Sequence, residues 1–176
     1  MSQPHRRPNL TALDLVRALV PLVVLILVVA WLSTPAEVDP VREVDPGPQL
    51  AYAATLADFE VLAPGNLPDG WRATSVRVDP AVPGGPVGVS VGYLTADDRF
   101  AQLVQSSDRS APADVLGQGY AAAGNELDID GEPWRQVQTD DGELGLVSER
   151  AEVVLIVTGS ADLAELRTLA GSLRQR

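Results

Sequence analysis

The pattern of apolar and polar positions separates an apolar run near the start of the chain from a longer part with shorter periods. Residues 18–36 carry no charge, and residues 18–32 are almost entirely Leu, Val, Ile and Ala. A helix of about 19 residues, rising about 1.5 Å per residue, is about 28 Å long, close to the hydrocarbon thickness of a bilayer. The run therefore predicts a single transmembrane helix over residues 18–36.

The charges on the two sides of this run predict its orientation. Arg6, Arg7 and Arg17 precede it, whereas acidic residues and prolines follow it. Short basic flanks stay in the cytoplasm. We therefore expect residues 1–17 to be a cytoplasmic basic tail, 18–36 the membrane span, 37–48 a Pro- and acid-rich tether, and 49–176 an extracytoplasmic domain in the cell envelope.

Two other interpretations of the apolar run are open. A cleaved signal peptide has an apolar region of about 7–15 residues followed by small residues, and Thr34-Pro35-Ala36 is a weak version of such a cleavage site. A buried core helix is the second alternative. It is disfavoured because apolar residues cover every face of the run.

Beyond the tether, helical and alternating periods predict an α+β domain with a mainly antiparallel sheet of about six strands. Helices are expected on one face of this sheet. The predicted helices are 48–59, 112–123 and a last helix capped by Ser160 and reaching Leu173; the predicted strands are 71–78, 87–93, 100–106, 133–139, 144–149 and 152–158. Residues 61–71 and 125–132 are predicted to be turns.

Two details refine this prediction. Residues 153–157 are continuously apolar, which is typical of a central strand covered on both faces. Trp71-Arg72 and Trp134-Arg135 each open a set of three predicted strands. The second detail suggests the hypothesis of a degenerate α/βββ duplication.

Composition excludes several classes of function. Residues 37–176 contain 10 Arg, no Lys and 23 acidic residues, a net charge of −13. Such a surface repels phosphate backbones and anionic lipids, so we expect no nucleic-acid partner. The chain has no cysteine, and its one histidine is His5. The outer part therefore cannot form Ser-His-Asp, Cys-His or Ser-Lys sites or His-dependent metal sites, and we predict no cofactor, no metal and no enzymatic activity.

The candidate binding surface comprises two tryptophans and the arginines near them, namely Trp71, Arg72, Arg77, Trp134 and Arg135. Arginine can hold a carboxylate or phosphate with two parallel hydrogen bonds, and tryptophan can line a groove. The alternatives are core packing for the tryptophans and surface ion pairing for the arginines.

Motifs spread over most of the chain resemble the actinobacterial family called domain of unknown function 4245. The matching positions are Ala63-Pro64, Leu67-Pro68, Gly70-Trp71-Arg72, Thr74-Ser75, Gly92-Tyr93, Gln105-Ser106 and Thr158-Gly159. The resemblance implies a short basic N-terminus, one membrane span and an extracytoplasmic domain. No activity is established for that family, so the resemblance implies no catalytic residues.

The sequence thus favours a membrane-anchored extracytoplasmic domain that binds an envelope component or a partner protein without catalysis. A carrier or sensor with an apolar cavity is the second hypothesis, and a carboxylate-based hydrolase is the third. The ligand, the partner, the strand order and the oligomeric state are left open.

Overall fold

The computed structural model describes residues 17, 19–26, 42–80 and 85–175, and the contacts divide the chain into two units, Met1–Pro40 and Val41–Arg176. In the first unit, residues 19–26 are helical and all of them are exposed. No helix among the described residues is both long and apolar enough to cross a bilayer. The rest of the predicted span lies outside the described residues, so the span stays a prediction.

The described part of the second unit contains three helices and nine strands. In chain order these are α1 (Gly47–Leu56), β1 (Leu62–Pro64), β2 (Arg72–Pro80), β3 (Val87–Leu94), β4 (Phe100–Ser106), α2 (Ala111–Leu116), β5 (Ala121–Ile129), β6 (Glu132–Gln138), β7 (Leu144–Glu149), β8 (Val154–Gly159), α3 (Leu163–Gly171) and β9 (Leu173–Gln175).

Seven of the strands form one antiparallel sheet in the order β2-β3-β4-β8-β7-β6-β5. All six residues of β8 are buried, and β8 lies between β4 and β7. The α+β class, the mainly antiparallel sheet and the central position of the apolar strand are therefore confirmed.

Helices cover both faces of this sheet, and the prediction of helices on one face was wrong. On the first face, α1 and α3 pack against the sheet through residues such as Leu50 and Leu169. On the second face, α2 packs Leu116 against Val104 and Ile156. The short α2 explains why β8 is apolar on both sides.

The predicted helix over 112–123 is corrected to a helix that ends at Leu116. Gly117 has φ of 93°, in the left-handed region that favours glycine, and a Cβ at this position would overlap the side chain of Asp140. The helix cannot continue through this conformation at low cost. The chain instead turns and enters β5, which pairs with β6 from Ala121 onward.

The predicted turn over 125–132 is also corrected, because most of it belongs to the hairpin of β5 and β6. Only Asp130 and Gly131 reverse the chain, with φ of 54° and 82°. Positive φ at both central residues is typical of the tight hairpin turn that follows strand twist. Asp128 Oδ1 accepts a hydrogen bond from the Gly131 N–H at 3.0 Å.

A second sheet joins the two ends of the domain. β1 lies within the predicted turn 61–71 and pairs with β9, so that Leu62 lies opposite Gln175. The last helix ends at Gly171, and Leu173 belongs to β9. Its cap is Asp162 rather than Ser160, since Asp162 and Glu165 form a reciprocal capping box.

The strand order bears on the duplication hypothesis. The meanders β2-β3-β4 and β6-β7-β8 meet at their last strands, β4 and β8. The two helices that precede them, α1 and α2, lie on opposite faces of the sheet. The strands therefore have the arrangement expected of a repeat, whereas the helices do not.

Candidate functional site

Two of the predicted arginines lie on the edge strand β2. The register of β2 on β3 shifts between Ala73 and Ser75, which leaves Thr74 as an extra residue. Such a bulge changes which residues share a face. Arg72 and Arg77 therefore both lie on the second face, although five positions separate them. Arg72 Nη2 pairs with Asp98 Oδ1 at 3.0 Å.

Arg135 lies on the same face but is not close to the other two. It belongs to β6, which β3, β4, β8 and β7 separate from β2. Its Nη2 pairs with Glu149 Oε1 on the adjacent β7 at 2.8 Å. The predicted arginines therefore do not form one anion clamp, and two of the three are in exposed ion pairs.

The two tryptophans lie on the first face. Trp134 is 1% exposed and belongs to the core, which agrees with the alternative of core packing. Trp134 lies opposite Leu127 where β6 pairs with β5. Trp71 is half-buried, and its ring centroid is 6.5 Å from that of Tyr93.

Tyr93 lines a site that the sequence did not predict. An open cleft of about 840 Å³ lies beside the first turn of α1 on the first face. Residues 43–47 and Leu50 form one wall, and the β1–β9 sheet with the turn at Leu67 forms the other. Ala73 and Tyr93, which are partners on β2 and β3, form the floor. We call this site the α1 cleft.

The Tyr93 hydroxyl is the unusual group of the α1 cleft. Tyr93 is 3% exposed, and its hydroxyl oxygen is buried without a hydrogen-bond partner among the described residues. Burial raises the pKa of this hydroxyl above its ordinary value. The group therefore stays protonated at neutral pH and can donate a hydrogen bond.

The rim of the α1 cleft is acidic. Glu43 and Asp45 are exposed and form no ion pair within the described residues. Arg174 also lines the cleft, but its Nη2 pairs with Asp130 Oδ2 at 3.2 Å. Its Nη1 donates to the carbonyl groups of Gly171 and Leu173.

Two sets of hydrogen bonds hold the walls in place. The Gln105 side chain, 0% exposed, accepts from the Leu62 N–H and donates to the Leu62 carbonyl, both at 2.8 Å. This amide therefore fixes β1 above β4. On the opposite wall, the Val44 N–H donates to the Ala73 carbonyl at 2.9 Å. The end of the predicted tether is thus docked on the edge of β2.

The sequence did not predict the α1 cleft, because the residues of its walls are distant along the chain. Tyr93 continues the alternation of Val87, Val89 and Val91, which is typical of an ordinary core position. No local pattern in the sequence indicates that β1 pairs with β9. The only available signal was Tyr93 itself, since a tyrosine at a core position needs a partner for its hydroxyl.

The fold and the cleft define an α+β domain with a preformed, ligand-sized cleft and an acidic rim. The chain belongs to the family described as "Protein of unknown function (DUF4245)", whose sequence model matches residues 7–173.

Comparison with curated proteins gives no match. Among solved structures, the chain is similar to a crystal structure of MucB in complex with MucA(peri). The two are 14% identical with a TM-score of 0.36, and the match covers 65% of this chain. It spans 36% of the MucB-complex chain, well under two thirds of its length.

Proposed function

We propose that this protein is a membrane-anchored, non-enzymatic binding domain of the cell envelope, with its N-terminus in the cytoplasm and residues 49–176 outside. Three observations support the proposal. The apolar residues 19–26 are helical and exposed, as expected of a segment that needs a lipid environment. The part beyond residue 36 lacks His, Cys and Lys. The α1 cleft is the third.

The α1 cleft is the observation on which the binding function rests. Its volume, about 840 Å³, lies in the range of small-molecule sites, which is about 300–1,000 Å³. The carrier or sensor hypothesis requires an apolar cavity between the sheet and its helices. Leu166 and Leu169 of α3, both 0% exposed, fill that space on the first face, which disfavours this alternative.

Protease accessibility tests the topology. The full chain is made with an N-terminal epitope tag, and intact spheroplasts are treated with protease. We expect the domain to be digested while the tag stays protected until the membrane is permeabilised. A domain that resists protease in intact spheroplasts, or a mature chain that begins near residue 37, would overturn the anchored topology.

Site-specific photo-crosslinking in cells tests the binding function. A photoreactive amino acid replaces Leu67 in the α1 cleft, and the control replaces Leu56, which is 36% exposed at the end of α1. We expect a reproducible adduct, protein or small molecule, at position 67 only. Equal adduct formation at both positions, or none at either, would contradict a binding function for this cleft.

A further inference from the structure

We propose that the open edge of the sheet at β2 is the interface of a two-fold symmetric dimer of this chain, in which two copies of β2 pair antiparallel with Val78 on the axis. The inference goes beyond the proposed function, because residues 76–80 do not line the α1 cleft. It follows from three features of β2: free backbone groups, a self-complementary order of charges, and boundaries that select one register.

The first feature is the direction in which the backbone groups of β2 point. The Val87 N–H and C=O at the start of β3 both bond to Ser107, on the side of β4. Alternation along an antiparallel strand then turns the polar groups of Gly88, and of every second residue after it, towards β2. Gly88 lies opposite Asp79, so Asp79 bonds to β3. Val78, the residue before it, therefore directs its N–H and C=O away from the sheet.

Val76 has the same orientation as Val78, because two positions separate them. The Ala73 carbonyl supports this assignment. Ala73 lies opposite Tyr93, whose polar groups face β4, and its C=O points outward to accept from the Val44 N–H at 2.9 Å. Among the described residues, no hydrogen bond reaches the outward groups of Val76 and Val78. A row of free backbone groups of this kind is a template for another strand.

The second feature is the order of charges along the edge. Arg77 and Asp79 flank Val78, both are exposed, and neither forms an ion pair among the described residues. With Val78 on a two-fold axis, Arg77 of each copy lies opposite Asp79 of the other. Opposite charges that face each other across two strands attract. The axis generates this pair twice, which favours a second copy of the chain over an unrelated strand.

The third feature is that the neighbouring registers are disfavoured. A pairing with Arg77 on the axis would place it opposite its own copy, and like charges directly opposite are destabilising. A pairing with Val76 on the axis would extend to Thr74, where the bulge interrupts regular spacing. At its other end the ladder stops at Pro80, which has no N–H. The dimer therefore pairs residues 76–80 of both copies.

This pairing satisfies the free groups of the edge. The Val78 N–H of each copy donates to the Val78 C=O of the other, and the Val76 N–H donates to the Pro80 C=O. The side chains of Val76 and Val78 are half-buried against the core of the first face, and the second copy covers more of their surface. Because the ladder is short, we expect a dimer whose population rises with protein concentration.

Disulfide trapping of the full chain in detergent tests the interface and its register. The chain has no cysteine, so one introduced cysteine reports only on its own position. Val78→Cys lies on the axis, where paired Cα atoms are about 5.5 Å apart, within the range of about 4.4–6.8 Å that a disulfide spans. Val76→Cys is the matched control on the same strand and face, but its own copy lies about 13 Å further along the strand. On oxidation we expect about fivefold more linked dimer with Val78→Cys than with Val76→Cys.

Charge reversal in the Val78→Cys background tests the pairing of Arg77 with Asp79. Arg77→Glu alone and Asp79→Arg alone each place like charges opposite one another, and each should lower the linked fraction about fivefold. The two changes together restore opposite charges and should return the fraction to that of the parent. Arg167→Glu reverses an exposed arginine on α3 and should leave the fraction unchanged.

The inference is overturned if Val76→Cys links as readily as Val78→Cys, if neither links, or if the double charge reversal does not rescue the single changes. None of these outcomes bears on the α1 cleft. Crosslinking at position 67 tests the proposed binding function separately, so either conclusion can fail without the other.

Discussion

At the residue scale, Tyr93 differs from the other buried polar side chains of the domain. The Gln105 amide is paired with the Leu62 backbone, and the Thr158 hydroxyl donates to the Leu144 carbonyl. The Ser172 hydroxyl donates to the Leu169 carbonyl. Only the Tyr93 hydroxyl, among these four, has no partner in the described part of the chain. Burial of this hydroxyl therefore lowers the stability of the folded domain.

Replacing Tyr93 by Phe should stabilise the protein. The change removes an unsatisfied hydroxyl and keeps the ring, so the free energy of unfolding should rise by about 1 kcal/mol. Chemical denaturation of the full chain in detergent, followed by tryptophan fluorescence, measures it. The exposed Tyr52→Phe is the control and should show no change. A clear loss of stability in Tyr93→Phe would mean that the hydroxyl already has a partner.

At the element scale, the walls of the α1 cleft depend on contacts between distant parts of the chain. The β1–β9 sheet joins Leu62 to Gln175, and Gln105 of β4 holds β1 from below. The amide of Gln105 takes the place of a neighbouring strand, because it pairs with both polar groups of one residue. The wall is therefore positioned by one side chain rather than by a continuous ladder.

Gln105→Met should destabilise the domain and loosen this wall. Methionine has a similar length but leaves the Leu62 N–H and carbonyl unpaired, so we expect a loss of about 2–4 kcal/mol in the free energy of unfolding. Gln102→Met, on the same strand but on the second face, is the matched control and should cost less than about 0.5 kcal/mol. Equal effects would show that the amide bridge is unimportant.

The start of α3 predicts how stability depends on pH. Asp162 accepts a hydrogen bond from the Glu165 N–H, and this bond, followed by the attraction of Arg99, lowers the pKa of the carboxyl in the folded state. The unfolded chain then binds a proton more readily than the folded one. The stabilisation is present above the ordinary aspartate pKa and is lost as the pH falls through the lowered value.

Denaturation at several pH values measures this effect. Stability should fall more steeply between about pH 5 and 3 in wild type than in Asp162→Asn, since asparagine caps a helix without titrating in this range. Both proteins should change little between about pH 6 and 8, because residues 42–175 contain no histidine. Identical slopes in acid would mean that the capping carboxylate does not contribute.

At the scale of the whole molecule, the sheet is best protected at its centre and least at its edges. β8 is buried along its whole length, whereas seven of the nine residues of β5 at one edge are exposed. β5 is also interrupted by a register irregularity between Ala122 and Glu126. Stability should therefore be unevenly distributed across the strands.

Hydrogen–deuterium exchange of the full chain should show this gradient. Amides of β4 and β8 should exchange most slowly, near the rate set by global unfolding, and those of Ala121 to Asn125 should exchange first. Uniform protection across the sheet would contradict it.

Local patterns in the sequence were sufficient for the hairpin of β3 and β4 and for the buried β8. Alternation with period two and a continuous apolar run depend only on which faces of a strand are buried. The same approach failed at 112–123 and 125–132. There the alanine-rich stretch 121–123 suits a helix by propensity, but pairing with β6 holds it extended, and Gly117 ends the preceding helix.

The candidate site shows the same division. Residue types alone excluded histidine, cysteine and lysine chemistry beyond residue 36, and the apolar run alone predicted an anchor. Tertiary structure decided that Trp134 is core, that a bulge places Arg72 and Arg77 on one face, and that Tyr93 lines a cleft between α1 and the β1–β9 sheet. Periodicity reports only which face of an element is buried. The walls of a cleft are set by pairings between the two ends of the domain, which no local pattern encodes.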